Sequence, residues 1–163
     1  MSVAVFMGSD SDFEMLRDGL GILKEFGVPF TVEVTSAHRT PERTIRLIRE
    51  AEEAGVEVFI AAAGKAAHLA GVVAAHTVRP VIGVPVESAA LAGMDALFST
   101  VQMPKGIPVA TVALGKAGGS NAALLAVQIL AVKDPALRRK LEESRRRMAE
   151  DVEASSRRLR DKL

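Results

Sequence analysis

The sequence predicts an α/β fold: one five-stranded parallel sheet with helices on both faces. Three features carry that prediction. Five strand-length apolar runs alternate with helical patterns along most of the chain. The first run, Val3-Ala4-Val5-Phe6-Met7, is apolar at every position, as a strand covered on both faces must be. Polar and glycine-containing clusters follow the runs, where connections leave the carboxyl ends of strands.

Taken in order, Gly8-Ser9-Asp10-Ser11-Asp12 leads into an amphipathic helix over Phe13 to Phe26, which Gly27-Val28-Pro29 ends. Phe30 to Val34 is the second strand. Pro41 sits at the first turn of a helix that runs to Ala54 and stops at Gly55. Val58 to Ala62 is the third strand, and Ala63-Gly64-Lys65 leads to a helix around Ala67 to Thr77. Val81 to Val84 is the fourth. The segment from Pro85 to Pro108 is too long for an ordinary connection and too apolar for a solvated one. Its Leu91, Met94, Leu97, Phe98, Val101 and Met103 require burial, on a short helix or at a subunit interface. Val109 to Leu114 is the fifth strand, and Ala117-Gly118-Gly119-Ser120 is a glycine-rich turn opening a helix through Leu130, with Ser120 either a helix cap or a ligand contact. From Pro135 to Leu163 the pattern is helical with charges of alternating sign, which reads as a solvated face. This extra C-terminal helix is expected against a neighbouring subunit or at the sheet edge. No repeat or linker divides the chain, so one domain is expected over 1–163, with a core over about 3–132 and a helical extension over about 133–163.

Composition narrows the function. The 163 residues are 48% hydrophobic and 25% charged, enough for a sizeable core. A formal charge of +1 gives no field to recruit nucleic acid or an anionic membrane, and no run reaches the ~18 apolar residues of a membrane span. Without cysteine there is no disulfide, thiolate metal site or cysteine nucleophile. The chain enters a strand at once, with no leader-like segment, so a cytoplasmic setting is expected. Six Phe with no Tyr and no Trp disfavour base-stacking platforms and a flavin site.

The chemistry gathers at strand ends. Ser36-Ala37-His38-Arg39-Thr40 follows the second strand and sets an imidazole beside a permanent cation. Arginine suits phosphate by charge and fork geometry, and histidine suits proton transfer near neutrality. A loop histidine paired with a carboxylate is the plainer alternative. Gly8-Ser9-Asp10-Ser11-Asp12 offers amides at a helix start, favourable for an anion, yet Ser and Asp are also ordinary helix caps. Two carboxylates would repel a phosphate; a sugar diol on Asp12, with phosphate on the Ser9 and Ser11 side, removes that conflict. In Ala62-Ala63-Gly64-Lys65-Ala66-Ala67-His68-Leu69 the small side chains let backbone approach a ligand or pack tightly, and His68 either touches the ligand or orients the loop. His76 lies roughly 12 Å farther along the helix axis, too far to share a metal with His68, so no metal site is expected.

Together these motifs resemble the family of N5-carboxyaminoimidazole ribonucleotide mutase, the catalytic subunit of class I phosphoribosylaminoimidazole carboxylase. The likeness runs from Val3 to Leu130 and includes Ser99-Thr100-Val101-Gln102-Met103-Pro104, Gly106-Ile107-Pro108-Val109-Ala110-Thr111 and Asn121-Ala122-Ala123-Leu124-Leu125-Ala126. It implies a flavodoxin-like three-layer sandwich, a homo-octamer with sites near subunit contacts, and no metal or organic cofactor. It implies a ribonucleotide substrate and a functional link to an ATP-dependent N5-carboxyaminoimidazole ribonucleotide synthetase. His38 would be the general acid/base; Ser9, Asp12 and Arg39 would bind the ribonucleotide, with Ser11 and Ser36 beside them. Gly64, Ala67, His68 and Leu69 would wall a pocket that cages carbon dioxide between its loss from nitrogen and its capture by C4. The sequence departs from the family pattern at Ala62 and Lys65, where glycine is common, and at Ala70, where proline is common.

Two other readings stay in view. A related branch of the family carboxylates aminoimidazole ribonucleotide directly, although Ala66-Ala67-His68-Leu69 resembles the mutase branch. A non-catalytic signalling module of the same fold class would need an acceptor aspartate ending the third strand, where Ala61-Ala62-Ala63 stands.

Overall fold

A computed structural model describes residues 1–88 and 91–162. Ala89 and Ala90, inside the long apolar connection, and Leu163, at the end of the extension, lie outside the described residues. Five strands, β1 (Ser2–Met7), β2 (Phe30–Val34), β3 (Val56–Gly64), β4 (Val81–Val86) and β5 (Ala110–Thr111), form one parallel sheet in the order β2-β1-β3-β4-β5. That is the flavodoxin-like order, as expected. The winding reverses between β1 and β3, whose registers run side by side from Val3↔Val58 to Met7↔Ala62. A crevice therefore opens beyond their carboxyl ends.

Alternate residues of the central strands face opposite layers. Val3, Val5, Met7, Ile60 and Ile82 point to α1 (Phe13–Phe26), meeting its Leu16, Leu20 and Leu23, and to α5 (Gly115–Ala131). Ala4, Phe6, Phe59 and Ala61 point to α2 (Pro41–Glu53) and α3 (Leu69–Ala75), meeting Ile48, Leu69 and Val73. Removing these apolar chains from water is the main stabilising term, at about 25 cal/mol per Å². Helix α1 ends where its pattern predicts, because Gly27 takes the left-handed φ of 74° and its N–H caps the Leu23 and Lys24 carbonyls.

The structure departs from expectation in four places. Gly118 and Gly119 do not form a turn; they lie inside α5, which starts at Gly115. A Cβ on Gly119 would stand 2.1 Å from the Met15 carbonyl oxygen, and one on Gly19 would stand 2.3 Å from that of Gly119. The glycines thus serve the crossing of α1 and α5, and Ser120 is no cap. Strand β5 is only two residues long: Pro108 has no N–H for the ladder, and beyond Val112 the chain turns into α5. Helix α3 starts only at Leu69, because Lys65 to His68 make a tight turn first. The C-terminal helix, α6 (Pro135–Arg160), does not lie on the sheet edge. Asp134 caps it through the Ala136 and Leu137 amides, Leu137 enters the α1–α5 core, and Lys140 donates to the Phe26 carbonyl at 2.9 Å.

The long apolar connection contains a short helix, α4 (Met94–Val101). Its Ala96 and Thr100 are buried, but Met94, Phe98 and Val101 remain exposed, as does Leu91 before it. Farther along α6, exposed pairs such as Arg147–Glu143 and Arg157–Glu153 match the solvated face that the charge pattern predicts. No described helix is long and apolar enough to cross a membrane.

Candidate active site

Four connections meet in the crevice above β1 and β3. They enclose an open cavity of about 690 Å³. Of the ten sequence-predicted site residues, Ser9, Ser11, Asp12, Ser36, His38, Arg39, Gly64, His68 and Leu69 line it. Ala67 does not: it is buried beneath the turn, 1% exposed.

The connection after β1 is a serine-capped single 3-10 turn over Asp10–Asp12. Ser9 Oγ accepts from the Ser11 amide at 3.3 Å, and Ser11 Oγ donates to Ser9 Oγ at 2.9 Å. The Asp12 carboxylate accepts from the Ser9 amide at 3.1 Å. Capping and a ligand-facing position therefore coexist in the same residues. Burial raises the Asp12 carboxyl above its ordinary range, against the hydrogen bond from the Ser9 amide; nearby Asp10 pushes the same way as burial.

The connection after β2 is locked by hydroxyls. Buried Thr35 shares a 2.8 Å hydrogen bond with Thr44 of α2, and Thr40 Oγ1 accepts from the Ser36 amide at 3.0 Å. Ser36 Oγ accepts from the Arg39 amide at 3.2 Å. His38 and Arg39 thus project from a closed clamp rather than a loose loop. Arg39 Nη2 donates to the Gly8 carbonyl at 3.2 Å, tying this connection to the one after β1.

The connection after β3 passes close to β4. A Cβ on Gly64 would stand 3.2 Å from the Val86 carbonyl oxygen. Lys65 then takes φ of 56°, the left-handed region that favours glycine. Its carbonyl accepts from the Ala67 amide at 2.9 Å, and Ala66 accepts from the His68 amide at 2.8 Å. The turn delivers His68 to His38: Nε2 of His38 lies 2.8 Å from Nδ1 of His68, with ring centroids 4.9 Å apart.

An imidazole held by a second imidazole, a guanidinium and a carboxylate in one cavity can bind a phosphorylated sugar and move a proton. Among the described residues no three His, Cys, Asp or Glu side chains converge as a metal-ligand set. His76 ends α3 instead, its Nδ1 donating to the Val72 carbonyl at 2.9 Å. A second groove, about 450 Å³ between α5 and α6, is lined largely by aliphatic side chains with Arg145 and offers no acid–base pair.

The sequence reading missed Glu87 and Ser88, which line the cavity after β4. The available signal was their position just past a strand, but the apolar run that follows drew the reading toward burial.

The family described as AIR carboxylase matches residues 2–151. N5-carboxyaminoimidazole ribonucleotide mutase of Pyrococcus horikoshii is 53% identical over 157 residues, spanning 96% of this chain and 88% of that protein. The Escherichia coli protein of the same name is 53% identical over 150 residues, spanning 92% and 89%. The crystal structure of Treponema denticola PurE superposes with a TM-score of 0.88 at 29% identity, covering 96% of this chain and 97% of that one.

Proposed function

The chain belongs to the AIR carboxylase family, and from that premise we propose that it is an isomerase of purine biosynthesis, converting N5-carboxyaminoimidazole ribonucleotide to 4-carboxyaminoimidazole ribonucleotide. The 53% identical relatives bear the mutase name, which favours this reaction over direct carboxylation. The observation that carries the site assignment is the 2.8 Å contact of His38 with His68 beside Arg39 and Asp12.

In this mechanism the ribose diol meets the Asp12 carboxylate, and the phosphate meets Arg39 and the Ser9–Ser11 turn. The bond between the exocyclic nitrogen and its carboxylate breaks, releasing carbon dioxide, and that nitrogen takes a proton from His38. C4 attacks the retained carbon dioxide, forming the new carbon–carbon bond. His38 removes the C4 proton and aromaticity returns, so one imidazole gives and recovers one proton. Gly64, His68 and Leu69 wall the site and limit escape of the gas, preserving its proximity to C4. His68 fixes the ring of His38 through their shared hydrogen bond.

An octameric assembly, a cytoplasmic setting and supply of the substrate by an ATP-dependent synthetase belong to the same reading. The exposed Leu91, Met94, Phe98 and Val101 support an assembly, since isolated domains rarely leave such a group in water.

The direct test is His38→Asn, with ribonucleotide binding and turnover measured together. Binding is expected within a few-fold of the parent, and turnover lower by about 10²–10⁴-fold, the range of general acid–base catalysis. Unchanged turnover would remove His38 from the mechanism. Rapid turnover of aminoimidazole ribonucleotide with bicarbonate, and none of the N-carboxylated substrate, would replace the mutase by the carboxylase.

A further inference from the structure

Lys65 is the charge in the cavity wall that the fold leaves unused. It lines the cavity, exposed, and it is one of two described non-glycine residues with positive φ. Among the described residues its ammonium group makes no ion pair. The two acids of the cavity are directed elsewhere. Asp12 receives the Ser9 amide. Glu87 follows Val86, the register partner of Gly64, and so stands beside Lys65 along the strand ends. Yet its carboxylate turns the other way, with Oε1 3.6 Å from where a Cβ on Gly115 would stand, at the first turn of α5. A backbone in the left-handed region that sets a lysine without an ion pair in the wall of a ligand cavity is the kind of feature that persists at functional sites.

We propose that Lys65 is a specificity-determining residue whose ammonium group receives the carboxylate that distinguishes substrate and product from the uncarboxylated ribonucleotide. The inference rests on the mutase reading above. The phosphate has donors of its own in the Ser9–Ser11 turn and Arg39, which belong to the connections after β1 and β2. Lys65 belongs instead to the turn that carries His68, and His68 holds the ring of His38. The turn that holds Lys65 therefore borders the part of the cavity where His38 stands, and a lysine in that turn is the cation proposed for a carboxylate bound there. The cation favours carboxylated over uncarboxylated ribonucleotides and leaves recognition of sugar and phosphate unchanged.

The test is calorimetric titration of the parent, Lys65→Gly and Lys65→Arg with 4-carboxyaminoimidazole ribonucleotide and with aminoimidazole ribonucleotide. Glycine accommodates the left-handed backbone, so Lys65→Gly removes the charge without distorting the turn. Expected for Lys65→Gly is about tenfold weaker binding of the carboxylated ligand, with the uncarboxylated one within about twofold, as for loss of a single charged hydrogen bond. Lys65→Arg should keep most of the parent's preference. Equal weakening of both ligands would assign Lys65 to the shared sugar or phosphate and overturn the inference, as would no change in either. A parent that binds neither ribonucleotide would overturn the mutase reading and this inference with it. Normal turnover by the parent with an unaltered preference in Lys65→Gly would sink the inference alone.

Discussion

Nε2 of His38 and Nδ1 of His68 face each other at 2.8 Å, with the rings at 79°. For that bond to exist one of the two nitrogens must be bare, so the four ring nitrogens hold at most three protons. His68 therefore sets which nitrogen of His38 is free to take a proton from the substrate. Replacing His68 by Asn keeps a polar atom near the position of Nδ1, whereas Phe fills the space without one. We expect His68→Phe to lower kcat by about 10²-fold with a smaller change in KM, and His68→Asn to recover much of that loss. Steady-state kinetics of the two variants side by side checks this. Equal activity of Phe and Asn would reduce His68 to a space-filling wall.

Asp12 is buried, and burial lifts its carboxyl above the ordinary 3.8. For an acid whose folded value is raised, the folded state binds the extra proton in the window between 3.8 and the raised value. The stability this group contributes is complete below that window and is lost as pH rises through it. Asp12→Asn, whose amide oxygen still accepts from the Ser9 amide, removes the buried charge. Urea unfolding should show the variant more stable than the parent at pH 7.5, with the gap closing as pH falls through that window toward 3.8. Ribonucleotide affinity should fall by about 1.5–3 kcal/mol, as for loss of hydrogen bonds to a charged group. A variant less stable than the parent at neutral pH would show that the carboxylate stabilises the turn more than its burial costs.

What local chemistry encodes was legible, and what only a distant partner explains was not. Helix α1 and strand β2 fall on Phe13–Phe26 and Phe30–Val34 because Gly27 and Pro29 punctuate the chain between them. His38 and Arg39 stood out because the carboxyl end of a parallel strand is where connections meet ligands. Gly118-Gly119 misled, since a glycine pair signals a turn by itself and a helix crossing only once Met15 and Gly19 are known to lie against it. The pairing of His38 with His68, thirty residues apart, depends on the reversal of winding that brings β3 beside β1. The Glu87 wall was hidden because one apolar segment contains both a strand end and a half-exposed helix.

The α1–α5 crossing yields a paired prediction on stability. A methyl group on Gly119 would drive into the Met15 carbonyl at 2.1 Å, backbone against backbone, with no flexible side chain to yield. Gly119→Ala should cost 3 kcal/mol or more, beyond the usual ~1–3 kcal/mol of overpacking, or prevent folding. Gly21 lies instead on the exposed face of α1, with nothing within 4 Å of the added carbon. Gly21→Ala should stabilise by about 0.5–1 kcal/mol through helix propensity alone. Chemical denaturation of both variants measures the contrast, and a tolerated Gly119→Ala would mean that the two helices separate at little cost.

Phe98 tests the proposed assembly without touching the cavity. Its side chain is 56% exposed on α4, beside exposed Met94 and Val101, so a single subunit gains little from it. In an isolated domain Phe98→Asp would change stability by no more than about 0.5 kcal/mol. In an assembly that covers this face, the same change buries an unpaired carboxylate, at a cost of several kcal/mol per interface. Light scattering should therefore report a smaller particle for Phe98→Asp than for the parent, while far-ultraviolet circular dichroism of the two stays the same. If the parent is itself monomeric, or the variant keeps the parent's mass, α4 is not an assembly surface and the octameric part of the reading fails while the His38 chemistry stands.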